Sequence, residues 1–104
     1  MADPEWSLGA LADLDSIADH ISSSVPGYGP VFVRRIVQAA ERLAQFPRMG
    51  REVPEVSLED YREIVFQNYR IVYRLKEDRA VILGVWHGAI DLGPRLTERL
   101  WDVT

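Results

Sequence analysis

Three arginines, Arg62, Arg70 and Arg74, fall in two stretches of alternating polarity separated by Gln67-Asn68. If those stretches are neighbouring strands of one hairpin, their guanidinium groups lie within ~5–8 Å of one another across the ladder. Like charges that close repel unless an oxyanion sits among them, so a phosphate, a carboxylate or an acidic partner is the ligand class they fit. The competing reading is local, each arginine pairing with a nearby acid: Glu59, Glu63, Glu77 or Asp78. His87 directly follows an apolar run and is either an acid–base group or a hydrogen-bonded strand-end residue. Trp6, Trp86 and Trp101 are expected in the core or at its rim; Trp101, fourth from the end, is the one most open to exposure, and an exposed tryptophan there would mark a contact surface. No glycine-rich nucleotide motif and no serine–histidine–acid arrangement is present. With no cysteine and two histidines, disulfides, thiolate chemistry and a zinc site are excluded or disfavoured, and neither metal nor cofactor is expected.

These residues must be positioned by elements whose periods are visible. Glu5 and its neighbours predict a short edge strand, with Pro4 at its start. Ser7 reads as the N-cap of an amphipathic helix whose face is Leu11, Leu14, Ala18 and Ile21 and which ends near Ser22-Ser23-Ser24. After the turn at Pro26-Gly27-Tyr28-Gly29-Pro30, a second helix is predicted to bury Phe32, Ile36, Ala39, Ala40, Leu43 and Phe46 and to stop at Pro47. Residues 47–60 read as loop. The period then drops to two, giving strands at Tyr61–Phe66 and Tyr69–Lys76, with Tyr69, Ile71, Tyr73 and Leu75 on one face and Arg70, Val72, Arg74 and Lys76 on the other. A second tight turn, Lys76 to Arg79, leads to Val81–Trp86, apolar enough to be a central strand covered on both faces. Asp91-Leu92-Gly93-Pro94 should break the chain before a last helical turn or two from Arg95 to Trp101. The order β-α-α-β-β-β predicts one α+β domain over residues 1–104, an N-terminal helical hairpin packed on a small antiparallel sheet. Its core should hold Leu14, Ile17, Ile36, Ala40, Leu43, Ile71, Tyr73, Ile82 and Val85.

The composition is that of an ordinary globular protein, 47% hydrophobic and 27% charged. Charge is unevenly spread: residues 1–33 carry five acids and no base, and the whole chain is −4. Eleven of the twelve bases are arginine, which suits planar, bidentate contacts and also follows from a GC-rich coding sequence. An acidic balance argues against wholesale coating of nucleic acid, though not against a local basic site. No apolar stretch is long enough to span a membrane, and the acidic opening Met1 to Glu5 does not read as a secretory leader, so a cytoplasmic protein without membrane association is expected.

Several segments together resemble one family. Trp6-Ser7 followed by Ala12 to Asp19 is similar to its first helix, and Pro47-Arg48-Met49-Gly50-Arg51 to its P-x-x-G-R loop. Arg62-Glu63 and Tyr69-Arg70-Ile71-Val72-Tyr73-Arg74 resemble its middle strands, and Trp86-His87-Gly88-Ala89 with Asp91-Leu92 its H-x-A-R-D ending. The family is the RelE/ParE superfamily, the toxins of type II toxin–antitoxin (plasmid-stabilisation) modules. The resemblance covers nearly the whole chain. It implies the same compact fold and a cognate antitoxin that forms a hetero-oligomer with the toxin.

Two activities occur in that superfamily. RelE-like members are metal-independent nucleases that cut mRNA on the ribosome with a basic cluster, whereas ParE-like members poison DNA gyrase by binding it. In the first case the resemblance implies Arg62, Arg70 and His87 as catalytic residues. In either case the target-binding set is Arg62, Arg70, Arg74, His87, Ile90 and Trp101. Three further nuclease positions fall at Ile64, Ile90 and near Leu96, none of which can hold phosphate. Metal-free cleavage depends on preorganised positive charge, so the departures favour the gyrase-poisoning branch. Isoleucine at position 90, where the family usually has arginine, also admits a weakened toxin acting mainly as an antitoxin-binding co-repressor.

Overall fold

The computed structural model describes residues 2–99. The chain runs through β1 (Glu5–Trp6), α1 (Leu8–Ser24), α2 (Gly29–Glu41), which tightens into a 3₁₀ turn at Arg42–Ala44, β2 (Arg51–Glu52), β3 (Tyr61–Phe66), β4 (Tyr69–Lys76), β5 (Arg79–His87) and α3 (Leu92–Arg99). The sheet order is β1-β5-β4-β3-β2. The expected helical hairpin and antiparallel meander form its centre. Two short strands extend it: β2 arises within the stretch read as loop, and β1 runs parallel to β5, which makes the sheet mixed.

Local chemistry accounts for most boundaries. Ser7 caps α1, its hydroxyl accepting from the Ala10 N–H at 3.1 Å. Pro30 stands in the first turn of α2, where a missing N–H leaves no bond unmade. Glu77 and Asp78 both have positive φ, as a two-residue hairpin turn of matching twist requires. The last helix begins at Leu92 rather than Arg95. Asp91 accepts from the Gly93 N–H at 3.0 Å, and Pro94 falls inside the first turn instead of ending the chain's run.

Two apolar clusters cover the two faces of the sheet. The hairpin face gathers Leu14, Ile17, Phe32, Ile36, Ala40 and Leu43 against Ile71, Tyr73, Leu75, Ile82 and Val85. All nine residues expected in the core are buried. Leu11 and Phe46 are not, at 46% and 59% exposure. On α1 the inward stripe passes through Ala10, and Leu11 lies ~100° further round. At the end of α2 the tighter 3₁₀ winding rotates the chain, which turns Phe46 outward after Leu43.

The opposite face gathers Val53, Tyr61, Val72, Val81, Leu83, Trp86, Leu92 and Leu96, with α3 laid across it. A bulge serves this face. Val72 pairs with Gly84 and Tyr73 with Ile82, leaving Leu83 without a partner across β4. The Trp86 ring lies over Gly84, where an added Cβ would collide with it. Arg99 then stacks on the same ring at 4.9 Å. Beyond β1 the outer edge of β5 is closed by side chains: Ser7 and Arg99 donate to the Leu83 carbonyl, and Asp13 accepts from the Val85 N–H. Among the described residues no helix is long and apolar enough to cross a membrane.

Candidate functional site

Arg70 leaves β4 on the α3 side of the sheet and is only 7% exposed. Strand register decides its neighbours. Glu63 stands directly opposite Arg51 on β2 and opposite Val72 on β4, so it lies diagonally across from Arg70. The Arg70 Nε donates to Glu63 Oε1 at 2.7 Å, and Nη2 reaches the same oxygen at 2.6 Å. The Glu63 side chain is fully buried, and its second oxygen takes Arg51 Nε at 2.7 Å and Nη2 at 2.6 Å. A third segment closes the set. Glu55, from the 53–60 loop, takes the Arg70 Nη1 and Nη2 donors in parallel, each at 2.6 Å. The same carboxylate accepts the Leu92 N–H at the start of α3, at 3.2 Å. Nη1 also reaches the Ile90 carbonyl at 3.4 Å.

The result is a neutral lattice of two arginines and two glutamates in which both ends of the Arg70 guanidinium are occupied. The hydrogen bonds from Arg70 hold the Glu55 carboxyl down to about 2, and Leu92 adds to this against the opposing effect of burial. In return Glu55 and then Glu63 raise the Arg70 pKa above its ordinary value against burial. The lattice floors an open cavity of about 560 Å³, rimmed by Arg51, Gln67, Asn68, His87 and Ala89.

The expected arginine trio is not assembled. Arg62 pairs in register with Tyr73 and projects to the hairpin side, opposite to Arg70. There it holds the 47–50 loop, donating to the carbonyls of Arg48 and Gly50 at 3.3 and 3.0 Å, and its Nε donates to the Glu59 carbonyl at 3.1 Å. Tyr73 assists, donating to the Pro47 carbonyl and accepting from the Gly50 N–H. Burial raises the pKa of this phenol. Arg74 shares the Arg70 side of the strand but stacks on Tyr61 at 5.5 Å, with its buried Nε unbonded. His87 is exposed at the cavity rim. Its Nδ1 accepts the Ala89 N–H at 3.3 Å, and its ring meets Tyr69 edge-on. Ile90 lies beside Arg70, partly buried against the α3-side cluster. Trp101 lies outside the described residues.

Of the acids considered as local partners, Glu63 has that role and Glu59 contributes only its carbonyl. Asp78 meets Arg48 instead, at 3.4 Å on the surface. Glu55 is not singled out by the sequence, and Arg51 enters there only as the last residue of the P-x-x-G-R loop. Among the described residues no group of three acids or histidines is placed to hold a metal ion.

Residues 5–92 match the family model described as ParE toxin of type II toxin–antitoxin system, parDE. The chain is 36% identical to a protein named putative toxin Y4kP from Sinorhizobium fredii over 84 residues, covering 79% of this chain and 83% of that one. It is 32% identical to toxin RelE2 of Caulobacter vibrioides over 89 residues, covering 86% and 98%. A solved chain from a study of the chromosomal ParDE system of P. aeruginosa superposes with a TM-score of 0.71 at 26% identity, covering 84% of this chain and 96% of that one.

Proposed function

Because this chain belongs to the ParE toxin family of type II toxin–antitoxin systems, we propose that it acts in the cytoplasm as a gyrase-poisoning toxin and not as a ribosome-dependent nuclease. Family membership implies a cognate antitoxin as its partner. The observation that carries the choice of target is the state of Arg70. A metal-free nuclease needs cations aimed at the scissile phosphate. Here the deepest cation of the cavity is already bound by two carboxylates, and Arg62 faces the other side of the sheet. The cavity therefore presents a neutral floor, with Arg51 and His87 at its rim as groups for contacting a protein surface.

Purified toxin, released from its antitoxin complex and refolded, should inhibit gyrase supercoiling and leave ribosome-bound mRNA intact. Cuts at A-site codons would overturn this reading in favour of the nuclease. Folded protein that binds its antitoxin yet does neither would identify the weakened toxin for which Ile90 is the candidate cause.

A further inference from the structure

Glu55 sits on Arg70 as a ligand would. A guanidinium presents two parallel N–H bonds that fit carboxylate and phosphate alike. The Arg70 Nη1 and Nη2 donors both point at one carboxylate, and the Leu92 N–H at the start of α3 converges on it as a third donor. A helix N-terminus adds a favourable field for an anion in the same place. This carboxylate comes from a loop, at the floor of a cavity large enough for a tetrahedral oxyanion. Glu63 is different: it is fully enclosed and shared by two strands, so it belongs to the sheet itself.

We propose that the Arg70 cavity is an oxyanion-binding site whose resident occupant is Glu55, and that vacating this seat lets it take an external phosphate or carboxylate group. Removing the carboxylate leaves Nη1 with only the long contact to the Ile90 carbonyl and leaves the Leu92 N–H without its side-chain acceptor. Without Glu55 the two arginines face Glu63 alone, so the site gains a net positive charge, and its part-buried donors open on the cavity, where a small anion supplies the complementary charge. Protonation does not open the seat near neutrality, since the Glu55 carboxyl is held down to about 2. Displacement or truncation does. The site goes beyond the gyrase reading and does not rest on it, because anion binding is scored on the toxin alone.

The test is Glu55→Ala against the wild-type protein in sodium phosphate, sodium formate and sodium chloride at matched ionic strength. Affinity is followed by calorimetry and location by the backbone amide signal of Leu92. Wild-type melting in the same buffers corrects for the general stabilisation that phosphate gives any folded protein. The variant should bind phosphate or formate at least ~tenfold more tightly than wild type, gain melting temperature in that buffer over chloride, and shift the Leu92 amide. Tighter phosphate identifies a phosphate-type ligand and tighter formate a carboxylate-type one, and either upholds the site. If the variant is unfolded in chloride, refolding in one of the two oxyanions is the supporting result. The proposal is overturned by equal binding to both proteins, by binding that leaves Leu92 unmoved, or by a variant that stays unfolded in all three salts.

Discussion

On one side of the sheet, α1 and α2 cover Ile71, Tyr73, Leu75, Ile82 and Val85 with further apolar side chains. On the other, α3 covers only part of the surface, and the rest is closed by Arg51, Glu63, Arg70 and Glu55. The first side is non-directional: any well-shaped apolar side chain contributes in proportion to the area it hides. The second is directional, since each buried charge is tolerable only while its partner stays within hydrogen-bond distance. The charges of this side hold β2, β3, β4, the 53–60 loop and the start of α3 together.

Breaking the directional side should have the largest effect. Arg70→Ala strands Glu63 in the interior with Arg51 alone and releases Glu55, and should destabilise the fold by about 3–5 kcal/mol in urea unfolding. A loss under ~1 kcal/mol would show that the lattice is replaceable by water and that the contrast is overstated. Arg70→Ala is accordingly a probe of folding before it is a probe of any activity. On the apolar side Leu43, at 1% exposure, is the matching position. Leu43→Ala should cost about 2–5 kcal/mol, the spread reflecting how far α2 can settle into the cavity. A loss below ~0.5 kcal/mol would mean that the hairpin face is loosely packed.

How much of this was legible in the sequence divides along the same line. Period-two alternation and two tight turns placed β3 and β4 at their observed bounds, and helical spacing found the buried Leu14, Ile36 and Leu43. Those signals are local. The separation of Arg62 from Arg70 was also legible: with Gln67-Asn68 as a two-residue turn, counting back pairs Arg62 with Tyr73, on the face opposite Arg70. Grouping the arginines by strand ignored that phase. Glu55 was not legible, because a loop has no period to say where a side chain points. The bond between Arg99 and Asp13, 86 residues apart, depends on where α3 lands and has no local signal either. Nor does the parallel direction of β1, which is only two residues long.

The finest test of the contrast is the pH dependence of a single charge. Glu55 is held from its ordinary 4.5 to about 2, first by its hydrogen bonds to Arg70 and then by the Leu92 N–H, against an opposing effect of burial. Because the carboxyl is more acidic in the folded than in the unfolded chain, the folded state binds fewer protons over that interval. Its stabilising contribution is therefore complete above pH 4.5 and is lost as pH falls through about 2. Glu55→Gln carries no such titration, while every other carboxylate is common to both proteins. The difference in unfolding free energy between wild type and variant should be flat above pH 4.5 and shrink progressively toward about pH 2. Its size should fall below that of the two truncations above, since the Glu55 side chain keeps 22% of its surface in water, where charge interactions are screened. A gap that stays constant through the acid range would mean that the loop is held by shape rather than by charge. The directional side of the sheet would then reduce to the pairing of Arg70 with Glu63.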